Sequence, residues 1–326
     1  MAETIIREAI AQGLREALND DARVFIMGED IGAYGGGYAV TRGFLKEFGP
    51  ERVRDAPIAE SVIVGSAVGA ALAGLRPIVE IMTINFALLA MDQIVNHAAK
   101  LHYMSNGQFS VPIVIRTVTG GGGQLGATHS QSLEGWFASV PGLKVVAPST
   151  PYDALGMLRT AVRDNNPVIF AEHALLYTER GEVPEEWYEV PFGQAVVRRP
   201  GTDVTIVGYS RMAHVAMQAA ELLASTKGRE AEVIDLRSLR PLDYETVIES
   251  VKKTNRAVVV EEAWRTGGFS GELASAIQEE AFDYLDGPVA RVGADDVPAP
   301  YARELEAAVL PNARRVLEAI ERNFGI

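Results

Sequence analysis

Apolar positions along the chain fall into two alternating rhythms, helical spacing and short continuous runs, and this alternation sets the expected fold class. Thr4 to Leu18 has helical spacing, and Arg23–Gly28 follows as a short apolar run, the signature of a buried strand. A glycine-rich loop, Gly32 to Gly37, and a short helix ending at Phe48-Gly49-Pro50 come next. The small-residue stretch Val62–Leu75 reads as a buried helix, Pro77–Met82 as a strand and Ala87–Tyr103 as one long helix. Strands are expected at Val111–Arg116, Leu143–Val146 and Pro167–Ala171, with a helix at Pro151–Arg163 that carries proline in its first turn. The rhythm lapses over Gly181–Gly201, where Pro184, Pro191, Pro200 and the pair Glu185-Glu186 mark a linker. It resumes with strands at Val204–Val207, Glu232–Leu236, Ala257–Val260 and Val289–Val292, and closes with a helix from Asn312 to Asn323. Such βα alternation predicts parallel sheets covered by helices on both faces, and a length of 326 residues suits two α/β domains, 1–190 and 191–326.

Composition narrows the class. Hydrophobic residues make up 48% and charged residues 22%, enough for ordinary globular cores, and no apolar run reaches the ~20 residues that span a bilayer. The start, Met1-Ala2-Glu3-Thr4, lacks the basic-then-apolar order of a signal peptide. With no cysteine, disulfides, thiolate zinc sites and a cysteine nucleophile are excluded, which fits a cytoplasmic protein. A net charge of −13 speaks against nucleic acid and anionic membranes and suits a basic protein partner.

Four features bear on chemistry. Glu60, in Pro57-Ile58-Ala59-Glu60-Ser61, stands just ahead of the Val62–Leu75 helix, where a carboxylate usually serves the free N–H groups and positive end. Gly121, Gly123 and Gly126 meet the dinucleotide fingerprint after a strand, but Thr128-His129-Ser130-Gln131 intervenes before the next helix and no ribose-binding acid follows at the expected distance. A flexible loop shaping a cavity mouth is the better reading. His129, in that loop, can move a proton near neutral pH, whereas His97, His102, His173 and His214 fall on or beside regular elements and read as packing or surface residues. Phe86 follows a strand end, where a ring could stack on a flat heterocycle or simply fill the core. No zinc-like histidine spacing and no Gly-x-Ser-x-Gly elbow occurs.

Taken in order, several segments resemble the beta subunit of the 2-oxo acid dehydrogenase decarboxylase component, most closely the pyruvate dehydrogenase type. They include Met27-Gly28-Glu29-Asp30, Pro57-Ile58-Ala59-Glu60, Met82-Thr83-Ile84-Asn85-Phe86, His129-Ser130-Gln131, Pro141–Val146, Arg163–Val168 and Asp235-Leu236-Arg237. The resemblance spans essentially the whole chain and implies a doubly wound, pyrimidine-type thiamine diphosphate-binding domain followed by a transketolase C-terminal α/β domain. The chain lacks Gly-Asp-Gly followed by Asn-Asn, the element that holds magnesium and the cofactor's diphosphate in this family. By resemblance that element and its Mg2+ belong to an alpha subunit, joined with this chain in an α2β2 heterotetramer.

The resemblance further implies that Glu60 hydrogen-bonds a ring nitrogen of the aminopyrimidine and favours the imino tautomer that activates the thiazolium carbon. Phe86 aligns with the aromatic packed on the pyrimidine, and His129 with the histidine that handles protons during acyl transfer to lipoamide. A potassium site of backbone carbonyls and a carboxylate would map to Ile113, Ala161, Asp164 and Asn166, although Asp164-Asn165-Asn166-Pro167 could equally be a turn cap. The implied activity is decarboxylation of pyruvate and reductive acetylation of the lipoyl domain of a dihydrolipoyl acyltransferase core. Its basic subunit-binding domain would meet acidic residues such as Asp295, Asp296, Glu304 and Glu306. Branched-chain 2-oxo acid or acetoin dehydrogenases, and a non-catalytic transketolase-like scaffold, are the alternatives.

Overall fold

The computed structural model describes residues Met1–Ile326. Its strands, in chain order, are β1 (Ala2–Ile5), β2 (Val24–Gly28), β3 (Val53–Asp55), β4 (Arg76–Ile81), β5 (Val114–Thr119), β6 (Lys144–Val146), β7 (Val168–His173), β8 (Arg180–Val183), β9 (Val196–Arg199), β10 (Val204–Gly208), β11 (Ala231–Asp235), β12 (Ser238–Arg240), β13 (Ala257–Trp264) and β14 (Ala290–Ala294). The chain forms two compact units. One comprises residues 1–119 and 136–192, the other 120–135 and 193–326, so a short excursion in the middle of the sequence belongs with the C-terminal half.

In the first unit β6, β7, β5, β4, β2 and β3 lie side by side in that order, all parallel. β4, β5 and β7 are buried almost end to end, as strands covered on both faces must be. The helices Ile6–Asp20 and Pro151–Arg163 pack on each other, and Gly13 makes this possible: a Cβ there would sit 2.9 Å from Leu158 Cδ2. Thr150 caps the second of these helices, its hydroxyl accepting from Asp153 N at 3.1 Å, with Pro151 at the first helical position. In the second unit β14, β13, β10 and β11 are parallel and β9 closes the edge antiparallel to β11. Helices Arg211–Lys227 and Ala313–Phe324 share a core with this sheet through Met212, Ala216, Val316 and Ile320.

The structure corrects four expectations. β1 and β8 pair antiparallel, and β9 also falls within the stretch read as a linker, because short edge strands with polar faces carry little periodic signal. The expected long helix is a succession of Ile84–Ala87, a 3₁₀ turn at Leu88–Ala90, a π-helix at Gln93–Ala98 and Leu101–Met104. Each piece spans only three to six residues, too short for its own repeat to stand out in the apolar pattern. The small-residue helix runs Glu60–Leu72, which places Glu60 inside its first turn rather than ahead of it. Nor is its whole surface buried in this chain: Val62 and Leu72 are exposed, and so is Leu75 just beyond.

Candidate active site

Three neighbouring parallel strands, β4, β2 and β3, deliver the candidate residues at their carboxyl ends, where open α/β sheets bind ligands. Glu29 follows β2, Glu60 follows β3 by way of Pro57, and Phe86 follows β4. Asp55, the last residue of β3, receives the amides of Gly32 at 2.6 Å and Ala33 at 3.1 Å and so fixes the loop after Glu29. Asp30 takes a left-handed φ of 54° at the head of that loop, and its carbonyl accepts from Gly36 N at 2.8 Å.

Glu60 is 6% exposed. No side chain caps its helix, and the carboxylate receives no hydrogen bond from the free amides of the first turn, so it does not do the ordinary work of an N-terminal carboxylate. A buried carboxylate without a donor is costly unless a partner meets it. Glu29 is close enough to feel it: burial, reinforced by the negative charges of Asp30 and Glu60, holds the Glu29 carboxyl above its usual range. Glu29 stands in the matching segment Met27-Gly28-Glu29-Asp30, where no local pattern marks it as part of a site.

Phe86 is half-buried in the helix Ile84–Ala87, with its amide on Thr83 O at 3.0 Å, and Asn85 Nδ2 donates to Thr83 Oγ1 at 3.1 Å. The Glu60–Leu72 helix packs on the π-helix that follows, with Gly65 facing the Gln93 side chain. A cavity of about 310 Å³ in this unit, lined by Glu16, Arg76, Arg159, Arg163 and Trp187, includes none of these candidate residues.

His129 belongs to the second unit, within the excursion 120–135. It is exposed, and Thr128 Oγ1 lies 2.9 Å from its Nδ1. The glycine loop before it is not a phosphate cradle. Gly121 N donates to Glu262 at 2.6 Å, and Gly122 N and Gln124 N donate to the two oxygens of Glu306 at 2.9 and 3.0 Å. The protein's own carboxylates fill the positions that a diphosphate would need, and they hold a loop that had been expected to be flexible. This also corrects the surface role given to Glu306, which is 2% exposed. Asp295 and Asp296 are engaged as well, with Arg315 at 2.6 Å and the Thr266 hydroxyl at 2.6 Å.

The other histidines keep structural company. His173 Nδ1 accepts from Leu175 N at 3.2 Å, His102 Nδ1 lies 2.8 Å from Phe109 O, and His97 Nε2 lies 3.4 Å from Asp92.

Around the candidate potassium positions, Ile113 O accepts from Val168 N at 2.9 Å and Ala161 O from Asp164 N at 3.3 Å. Asp164 Oδ1 accepts from Asn166 N and Nδ2 at 2.9 and 3.0 Å, while Oδ2 pairs with the Lys144 ammonium. The carboxylate anticipated as a ligand therefore already has a cation. Arg76 braces the same turn from outside, donating to Val162 O, Asn165 Oδ1 and Asp164 O at 3.0, 3.0 and 2.6 Å.

Comparison with known proteins bears on this arrangement. The transketolase pyrimidine binding domain family matches residues 3–179, and the transketolase C-terminal domain family matches residues 193–316. A pyruvate dehydrogenase E1 component subunit beta of Rickettsia felis is 50% identical over 317 residues, covering 97% of each chain. Its namesake in Chaetosphaeridium globosum is 49% identical over 321 residues, covering 98% of each. The chloroplastic beta-2 subunit of Arabidopsis thaliana is 48% identical, with 98% of this chain matched to 79% of that one. Among solved structures, a split-gene transketolase described as an inactive beta4 tetramer superposes with a TM-score of 0.77 at 25% identity, covering 98% of each chain.

Proposed function

From the premise that the chain belongs to the family of pyruvate dehydrogenase E1 component beta subunits, built of transketolase-type pyrimidine-binding and C-terminal domains, we propose how its residues serve that reaction. The chain acts on pyruvate as one half of a thiamine diphosphate site, with an alpha subunit completing an α2β2 heterotetramer, and passes the acetyl group to lipoyl domains of an acyltransferase core. Glu60 carries this reading: a buried carboxylate at the carboxyl ends of parallel strands, with no donor from its own chain, fits a protonated ring nitrogen of the aminopyrimidine.

Thiamine diphosphate, when bound, supplies the nucleophilic carbon and takes up the electrons released as carbon dioxide leaves. Glu60 accepts the hydrogen bond that orients the pyrimidine, Glu29 raises the negative potential beside it, and Phe86 packs on the ring. In the transfer step the lipoyl disulfide is reduced: one sulfur takes the acetyl group, the other a proton, and His129 delivers that proton. Mg2+ and the diphosphate are held by the alpha chain, in keeping with the absence here of a Gly-Asp-Gly followed by Asn-Asn. The remaining lone pairs of the Ile113, Ala161, Asp164 and Asn166 carbonyls suit a potassium ion, with Lys144 rather than the ion neutralising the Asp164 carboxylate. No helix is long and apolar enough to cross a membrane, and a cytoplasmic enzyme is proposed.

The test is the native mass of the complex from its own cells, with a thiamine diphosphate titration of the same sample. Two copies of this chain with two larger chains, binding the cofactor, is the expected result. A homo-oligomer that binds no thiamine diphosphate at any salt concentration would return the chain to the scaffold reading.

A further inference from the structure

From Gly120 to Gly126 every second residue, Gly120, Gly122, Gln124 and Gly126, has a left-handed φ, between 57° and 92°. Such alternation turns successive amides toward one side and builds a concave, positive surface. Two buried carboxylates of the second unit occupy it. Glu306 spans Gly122 and Gln124 with both oxygens, and Glu262 takes Gly121 while Arg211 Nη1 lies 3.4 Å from its other oxygen. Gln124 is the one non-glycine among the four and adopts its unfavourable φ where Glu306 receives its amide.

The constraint passes on toward His129. Gly126 lies against Tyr301, where a Cβ would fall 2.3 Å from the ring and displace it, and its φ of 77° favours glycine. Gly126 O then accepts the His129 amide at 3.2 Å, and Gly120 N donates to Gln131 O at 3.2 Å, closing the loop across its base. We infer that Glu306, with Glu262 beside it, is a positioning residue for His129, acting through the backbone of the glycine loop. The inference rests on the assignment of His129 to acyl transfer. Glu306 touches no reacting atom; it sets where the imidazole stands, and displacement of a proton-transfer group by about an ångström can cost on the order of a hundredfold in rate.

The test uses the assembled enzyme carrying E306Q, which keeps the shape but offers one acceptor oxygen where two amides arrive. Three quantities are read: amide hydrogen exchange over residues 120–135, decarboxylation with an artificial electron acceptor, and acetyl transfer to a free lipoyl domain. Exchange is expected to rise by roughly tenfold or more and kcat for transfer to fall by roughly tenfold to a hundredfold. Decarboxylation should stay within about twofold. E306D retains the charge, serves if E306Q fails to assemble, and should show smaller losses in the same pattern. Unchanged exchange, or equal loss of both steps in E306Q and E306D, overturns the inference. H129A made alongside separates the two claims. Transfer impaired in H129A but intact in E306Q removes only the role of Glu306, whereas transfer intact in H129A removes the His129 assignment and the inference with it.

Discussion

Arg116 grips Glu172 with two parallel hydrogen bonds, Nε to Oε1 at 2.7 Å and Nη2 to Oε2 at 2.8 Å. Its remaining nitrogen, Nη1, reaches Glu80 at 2.6 Å, and Tyr177 donates to Glu172 at 2.6 Å. All lie inside the first unit, with Arg116 on β5 directly opposite Glu80 on β4. Burial alone would lower the affinity of Arg116 for its proton, but the two carboxylates outweigh it and the guanidinium stays charged. Removing it strands two buried carboxylates. R116M should destabilise the first unit by about 3–5 kcal/mol, seen in calorimetric unfolding of the assembled enzyme. A loss within 1 kcal/mol would mean the network contributes little.

Glu60→Ala should lower decarboxylation by roughly 10²- to 10⁴-fold while leaving the native mass unchanged. Turnover with an artificial electron acceptor, measured beside size-exclusion mass, checks this. Near-normal turnover removes Glu60 from the role assigned to it.

His129→Ala should impair acetyl transfer to lipoyl domains more than decarboxylation, by on the order of 10²-fold against a few-fold. Comparing the two assays on one preparation decides the point, since equal losses contradict the division of labour.

Glu261 is fully buried on β13, and one of its oxygens has no hydrogen-bond partner. Burial pushes its carboxyl up to about 7, against a smaller pull from Ser270 and Arg291. A carboxyl raised on folding binds more protons in the native state. Its stabilising contribution is therefore full below about 4.5 and is lost as pH rises through about 7. The linked change is on the order of 3 kcal/mol, from about 1.4 kcal/mol per pH unit. Thermal unfolding between pH 5 and 8 should show wild type losing stability relative to E261Q as pH rises. Parallel curves would refute the shift.

Replacing potassium with a bulky monovalent cation such as tetramethylammonium should lower the unfolding temperature of the first unit by a few degrees, on the order of 1 kcal/mol. Identical melting in both salts would leave Lys144 and Arg76 as the only cations holding the turn at Asp164.

Much of this architecture is legible in the sequence because buried parallel strands announce themselves: β2, β4, β10 and β13 fall on continuous apolar runs. β1, β8 and β9 do not, since their half-exposed residues carry no rhythm and their pairing depends on contacts distant in sequence. The same limit applies to the candidate site. Glu60 and His129 stand in distinctive local strings, whereas Glu306 sits in an ordinary helical context, Arg303–Val309, and resembles any surface glutamate. Its partners lie more than 180 residues earlier, and only the fold brings them to it.

The carboxylate-held loop also bears on how such a chain can be rearranged in evolution. Residues 120–135 are encoded inside the first half yet depend for their shape on Glu262 and Glu306 from the second. A single crossover between halves of two diverged relatives would therefore join a loop from one parent to a clamp from the other. Recombinants should survive where the acids, Tyr301 and the loop glycines travel together, so the inherited module is a discontinuous one, and gene order conceals it.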